Sequence, residues 1–252
     1  MMEKKVVIIT GGSAGIGYAA AKLFLEKDCR VVILSTNEEK GLRAQERLSE
    51  FGEVTWKHCC VQDYEECRKV VDETMDTYGR IDVLVNNAGV VSRRESFFKA
   101  DMEDIRRTMD INVMGTIHMI HAVSKYMADQ QKGTIVNIGS ICGTMANSES
   151  VGYHASKGAV EMVTKSLARE LSGYGIRVVC VSPGWVRTEM IDDAVAKIGA
   201  SLHMKGRIVE PEEIAGVVYL MTLDEASAVN GTTVMADDGY SAFKGIDGGQ
   251  RL

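Results

Sequence analysis

A chain of 252 residues, 45% apolar and 25% charged, is long enough to bury a sizeable core and has the balance of a globular protein. Its net charge of -6 argues against non-specific affinity for nucleic acid or anionic membrane, because phosphate binding needs clustered Lys and Arg in excess of the acids. No apolar run approaches the roughly 18 to 20 residues of a membrane helix, and "VVIIT" after "MMEKK" is shorter than a signal-peptide core, so a cytoplasmic protein is expected.

The first predicted strand, "KVVIIT", leads into "IGYAAAKLFLEKD", whose apolar residues recur at helical spacing. "RVVILS" then precedes "NEEKGLRAQERLSEF", and "VTWKHCCV" precedes "DYEECRKVVDETMDTYG". The alternation continues through "IDVLVNN", "GTIVNIGS", "IRVVCVSPG" and "TTVMADD", each beside a helical stretch. Strands apolar on both faces and separated by crossover helices imply a sheet covered on both sides. The expectation is an α/β chain forming one doubly wound, Rossmann-type domain over residues 1–252, with a parallel sheet of about seven strands and helices on both faces. Pro183 and Pro211 are the only prolines, and no repeat or low-complexity tract marks a domain boundary.

The six cysteines (Cys29, Cys59, Cys60, Cys67, Cys142, Cys180) show no C-x-x-C and read as free thiols. His118 and His121 share a helical face at i,i+3 but have no third ligand nearby in sequence, so no metal site is expected.

"TGGSAGIG", Thr10 to Gly17, joins the first strand to the first helix. There glycines let the backbone turn sharply and bring amide groups and a helix N-terminus against a pyrophosphate. Gly11, Gly15 and Gly17 have the spacing G-x-x-x-G-x-G, which differs from the commoner G-x-G-x-x-G. Further along stand "NNAG" (Asn86 to Gly89), Ile111 and Asn112, Gly139 and Ser140, "YHASK" (Tyr153 to Lys157) and "SPGWVRT" (Ser182 to Thr188). In this set of motifs, in this order and over essentially its whole length, the chain resembles the short-chain dehydrogenase/reductase family. The resemblance implies an enzyme that binds NAD(P) and interconverts a ketone and a secondary alcohol. It implies cofactor contacts from Gly11, Ser13, Gly15, Ile16 and Gly17, from Asn87, Ala88 and Gly89 beside the adenosine ribose, and from Tyr153 and Lys157. Pro183, Gly184, Val186 and Thr188 would meet the nicotinamide end.

The choice between NAD and NADP falls at the end of the second strand, where an acid accepts from the ribose diol and a base pairs with a 2′-phosphate. Here stand Ser35, Thr36 and Asn37, and both decisive charges are missing. Hydroxyls and an amide hydrogen-bond a phosphate and no acid repels it, so the reading leans to NADP(H), with NAD(H) left open. After the third strand the family pattern has an Asp and an apolar residue for the adenine. This chain has Cys60 and Val61, leaving the Val61 backbone to meet the adenine edge and Asp63 to cap the next helix.

Tyr153 and Lys157 lie at i,i+4, a turn apart on one helix face. Reducing a ketone requires a proton for the developing alkoxide, and an ammonium beside a phenol favours phenolate. Ser140 at the end of the fifth strand is expected to hydrogen-bond the substrate oxygen, and Asn112 to hold a water that connects Lys157 to solvent, as the resemblance implies. The catalytic set is therefore Asn112, Ser140, Tyr153 and Lys157.

Residues 189–209, "EMIDDAVAKIGASLHMKGRIV", are mildly amphipathic and glycine-interrupted, and the family expectation is a lid over the substrate. Cys142, Asn147, Trp185 and Met190, with Ser140 and Tyr153, suggest a moderately apolar pocket suited to a bulky or cyclic ketone, hydroxysteroids among them. The alternative is a 3-oxoacyl carrier-protein reductase, which must dock an acidic carrier through basic residues, yet "YMADQQKG" offers only Lys132. A remote alternative is a non-catalytic dinucleotide sensor, which would be free to lose Tyr153 or Lys157. The resemblance also implies a homotetramer paired through helices around residues 101–130 and 152–173.

Overall fold

Runs rich in Val and Ile become the strands of one sheet, because residues branched at Cβ pack well on a pleated surface and crowd a helix. In the computed structural model, which describes residues 4–189, 191 and 193–243, these are β1 (Val6–Thr10), β2 (Arg30–Ser35), β3 (Val54–His58), β4 (Val83–Asn86), β5 (Gly133–Ile138), β6 (Ile176–Pro183) and β7 (Thr233–Ala236). All pairs are parallel, in the order β3-β2-β1-β4-β5-β6-β7. The chain leaves β1 toward one edge, then returns to lay β4 on the other side of β1. The carboxyl ends of β1 and β4 are thus the reversal point where such sheets hold ligands.

The helices are α1 (Gly15–Glu26), α2 (Glu38–Leu48), α3 (Tyr64–Tyr78), α4 (Met102–Met109), α5 (Gly115–Asp129), α6 (Val151–Leu171), α7 (Asp193–Leu202), α8 (Pro211–Met221) and α9 (Tyr240–Phe243). Local chemistry sets several of their starts. The Asn37 side chain accepts from the Lys40 amide, and Asp63 accepts from the amides of Glu65 and Glu66. Pro211 opens α8 inside a reciprocal capping box between Glu210 and Glu213.

The sheet separates two apolar layers, and alternation along each strand divides its side chains between them. Val7, Ile9, Val31, Ile33, Val85 and Val181 pack with Phe24 of α1 and Ile214 and Val218 of α8. Ile8, Val32, Leu34, Leu84, Ile135 and Val178 pack with Val71 of α3 and Met119 and Met127 of α5. Each such fully buried aliphatic or aromatic side chain contributes about 1.5 to 3 kcal/mol. Among the described residues no helix is long and apolar enough to cross a membrane.

Candidate active site

Where β1 ends, the chain takes a turn that only glycine accommodates well. Gly11 and Gly15 have φ of 64° and 54°. A Cβ on Gly17 would run into the Gly11 carbonyl and sit 2.5 Å from Asn87 Nδ2. That amide donates to the carbonyls of Thr10 (3.0 Å) and Gly11 (3.1 Å), while Thr10 Oγ1 accepts from the backbone N–H groups of Asn87 and Ala88, both at 2.9 Å. The glycine turn and "NNAG" are therefore one hydrogen-bonded unit. Ser13 and Ile16 lie half-buried along it. Helix α1 opens at Ala14 without a side-chain cap and without an acid in its first turn, which leaves the positive end of the helix for an external anion. A Cβ at Gly15 would stand 3.2 Å from Thr188 Cγ2, so the loop after β6 crosses above this turn. Val186, buried in that loop, forms a parallel bridge with Val209. Backbone donors, an uncapped helix start and a cradle that a Cβ would fill are the fittings a dinucleotide pyrophosphate needs.

At the end of β2, Ser35 Oγ accepts from Trp56 Nε1 at 2.9 Å, and Asn37 Oδ1 accepts from Lys40 N at 2.8 Å. Thr36 is exposed. Two of the three polar groups thus already serve the fold, one steadying the Trp56 indole and one capping α2. Val61 is buried beneath Gly115, and its carbonyl accepts from His118 Nδ1 at 3.0 Å, so little of it remains for a ligand beyond its backbone edge.

Ser140 ends the turn after β5 and Tyr153 and Lys157 stand on α6. The Ser140 hydroxyl accepts from Cys142 N at 3.1 Å and lies near enough to the Tyr153 phenol to favour its ionised form. Lys157 Nζ lies 5.8 Å from the centroid of the Tyr153 ring and donates to the Ile138 carbonyl at 2.8 Å. Asn112 sits in a π-helical turn, Asp110–Met114, between α4 and α5. Its Oδ1 accepts from Val90 N at 2.8 Å, and its Nδ2 donates to Val90 O at 2.9 Å and to Ser156 Oγ at 3.0 Å. Ser156 in turn donates to the Tyr153 carbonyl at 2.8 Å. A Cβ on Gly89 would lie 3.2 Å from Asn112 Oδ1 and 3.7 Å from Lys157 Nζ, so the strand β4 motif reaches the same spot. All four residues expected to be catalytic are brought together.

The family model described as "short chain dehydrogenase" matches residues 5–199 of this chain. The protein is a short-chain dehydrogenase. It is 35% identical over 243 residues to a 3alpha-hydroxysteroid dehydrogenase of Mediterraneibacter gnavus, covering 94% of this chain and 97% of the relative. It is also 35% identical over 244 residues to the 3-oxoacyl-[acyl-carrier-protein] reductase FabG of Thermotoga maritima, covering 94% and 98%. Among solved structures, ElxO with NADP bound has a TM-score of 0.89 at 29% identity, covering 95% of this chain and 99% of that one. Membership makes the chain an oxidoreductase of a family that binds NAD(P).

In this short-chain dehydrogenase the charges at the site are governed first by burial. It pushes the Tyr153 phenol up to about 12, against the Ser140 hydrogen bond, which pulls it down, while the nearby Cys142 thiol adds to the rise. It also brings the Lys157 ammonium down to about 8, against the Cys180 and Cys142 thiols, which favour the charge. The sequence reading has Lys157 lowering the phenol, and the protein alone does not do so. Both groups have lost water, and the ammonium is turned onto the Ile138 carbonyl.

Of the expected pocket residues, Cys142 is half-buried beside Ser140 and Asn147 is exposed on the following loop. Trp185 packs under α7, where a Cβ on Gly199 would meet its ring at 2.7 Å. Met190 lies outside the described residues, as does the tail beyond Phe243. Two further residues support the site of this short-chain dehydrogenase. Ser156 links Asn112 to the Tyr153 backbone. His154 donates from Nδ1 to Ser150 O at 2.7 Å and accepts from Asn147 N at 3.3 Å, holding the pocket loop to α6. Their only sequence signal is their place between Tyr153 and Lys157.

Proposed function

We propose that this protein is an NAD(P)-dependent ketone reductase or secondary-alcohol dehydrogenase acting on a moderately apolar or cyclic substrate, with hydroxysteroids among the candidates. The observation that carries the reading is the convergence of Ser140, Tyr153 and Lys157, backed by Asn112, beside the glycine turn. When bound, the cofactor supplies or accepts the hydride. Ser140 holds the substrate oxygen in line and Tyr153 gives that oxygen its proton. A phenol held up at about 12 favours the protonated form in the resting protein, which suits it to act as an acid in reduction. Lys157 and Asn112 restore the spent proton through water, and the Asn112 amide keeps the π-helical turn in register with α6. Residues 189–209, with α7, form the lid that excludes water.

Neutral polar groups at Ser35 to Asn37 with no acid among them support NADP(H), as does the likeness to an NADP-bound structure. The Thr36 hydroxyl is the group freest to meet a 2′-phosphate. A second reading, a 3-oxoacyl carrier-protein reductase, is favoured by the FabG relative. Against it, Lys132 in the turn before β5 is already paired with Asp224 at 3.4 Å, which thins the basic surface an acidic carrier needs. A ketone panel run with NADH and NADPH in parallel tests the proposal. Turnover of cyclic ketones with NADPH preferred is expected. A tenfold or greater preference for NADH reverses the cofactor reading, and turnover only of a carrier-bound 3-oxoacyl group selects the second one.

The same family reading has the chain assemble as a homotetramer through α4, α5 and α6. Support comes from apolar side chains left exposed on and beside these helices, Phe97, Phe98, Met102 and Met162 among them.

A further inference from the structure

His203, one residue beyond α7, is 3% exposed and stands in none of the roles given so far. Its Nε2 accepts from the backbone N–H of Trp185 at 3.2 Å. A Cβ on Gly184 would lie 2.7 Å from that same Nε2 and 3.1 Å from Asp237 Cα, so the turn after Pro183 is pressed between His203 and the C-terminal segment. The imidazole stacks on the Tyr240 ring at 6.2 Å and 28°. The loop that carries it is pinned a second time. Asp238, held in the left-handed region at φ 52°, accepts from Lys205 N at 2.6 Å and pairs with Lys205 Nζ at 3.6 Å.

We propose that His203 is a positioning residue: by accepting from the Trp185 amide it locks the Gly184–Trp185 turn, the nicotinamide end of the cofactor cleft, to the end of α7. The inference rests on the cofactor reading above. Accepting at Nε2 requires the neutral imidazole with its proton on Nδ1, which is buried beside the Arg207 backbone without a regular hydrogen bond. A protonated ring carries N–H on both nitrogens and turns the Trp185 contact into donor against donor. Burial lowers the His203 pKa from its ordinary value, so the lock is complete above about pH 6.5 and is lost as pH falls through the lowered value. The groups facing the ring are Asp237, Asp238 and Tyr240 from the C-terminal segment and Lys205 and Arg207 from its own loop. The two aspartates favour the charged ring, Arg207 opposes it, and Gly184 and Trp185 bring no titratable group.

The test measures NADPH and NADH affinity by nucleotide fluorescence, together with thermal melting, for wild type, His203→Leu and His203→Gln. Leu keeps bulk and removes the acceptor, whereas Gln places an amide oxygen near the Nε2 position. We expect His203→Leu to bind the preferred nucleotide about tenfold more weakly, the loss of one buried acceptor, with His203→Gln close to wild type. We also expect wild-type affinity to hold steady between about pH 7.5 and about pH 6.5 and to fall only as pH drops below about 6.5, while His203→Gln stays flat throughout. Unchanged affinity in His203→Leu, equal weakening in both variants, or the same pH profile in wild type and His203→Gln overturns the assignment. If His203→Leu does not fold, the comparison of pH profiles decides. A wild type that binds neither nucleotide overturns the cofactor reading and this inference with it.

Discussion

Burial keeps the Tyr153 phenol protonated and holds the neighbouring Lys157 ammonium on the edge of losing its charge. Tyr153→Phe removes the phenol that the proposed mechanism uses as proton donor while keeping the ring, and kcat/KM for ketone reduction should fall about 100- to 10,000-fold with nucleotide affinity retained. NAD(P)H oxidation followed by absorbance checks this, and turnover close to wild type would remove Tyr153 from the chemistry. Lys157 leaves a thermodynamic mark as well. Its pKa falls from 10.5 in the unfolded chain to about 8 in the folded one. Below about 8 both states are protonated and the fold bears the full cost of a buried ammonium. Between these values the unfolded chain holds the proton that the folded chain has released, so stability rises with pH. Relative to Lys157→Met, the wild type should gain about 3 kcal/mol between pH 7 and pH 11, read by urea denaturation at each pH. A parallel pair of curves would mean that Lys157 is not held near 8. The i,i+4 spacing made these two residues neighbours on one helix face before any coordinates. What the spacing did not carry was the sign of the phenol's shift, because burial depends on how β5, the Ser140 turn and α6 close around it.

The strands and helices follow from apolar period and from the caps at Asn37 and Asp63, so the doubly wound sheet was legible in outline. The π-helical turn at Asp110–Met114 was not. Its residues continue a helical pattern, and the extra residue in the turn is fixed by bonds to Val90 and Ser156, which lie far away in sequence. Asn112→Ala breaks all three bonds and leaves the Val90 amide and carbonyl short of partners, so it should cost about 2 to 4 kcal/mol by chemical denaturation and lower kcat. Full stability in that variant would mean the turn has another support. The glycine turn is tightest at Gly17, where a methyl group meets the Gly11 carbonyl and the Asn87 amide. Gly17→Ala should weaken nucleotide binding and destabilise the fold by about 1 to 3 kcal/mol, measured by fluorescence titration and thermal melting. The roles of Ser156, His154 and His203 escaped the sequence for one reason. Each holds a backbone atom as one of its partners, and backbone atoms leave no letter in a sequence.

At the scale of the molecule, the sheet is covered on both faces, and the apolar surface that remains includes the region around α4 and α6. Phe98 is 99% exposed and Met162 61%. Light scattering after size exclusion should give a tetramer, and Met162→Lys together with Phe98→Lys should shift it to smaller species. A stable wild-type monomer would count against assembly by this face. The loop from Thr144 to Glu149 meets α6 through the bond from Asn147 N to His154, whereas Ser140, Tyr153, Lys157 and the glycine turn stand on the sheet ends and on α1 and α6. On the proposed function, part of the substrate pocket and the groups that make the bond therefore stand on separate pieces of chain. Exchange of this loop alone would leave the residues of the proposed proton transfer and the glycine turn in place while altering one wall of the proposed pocket.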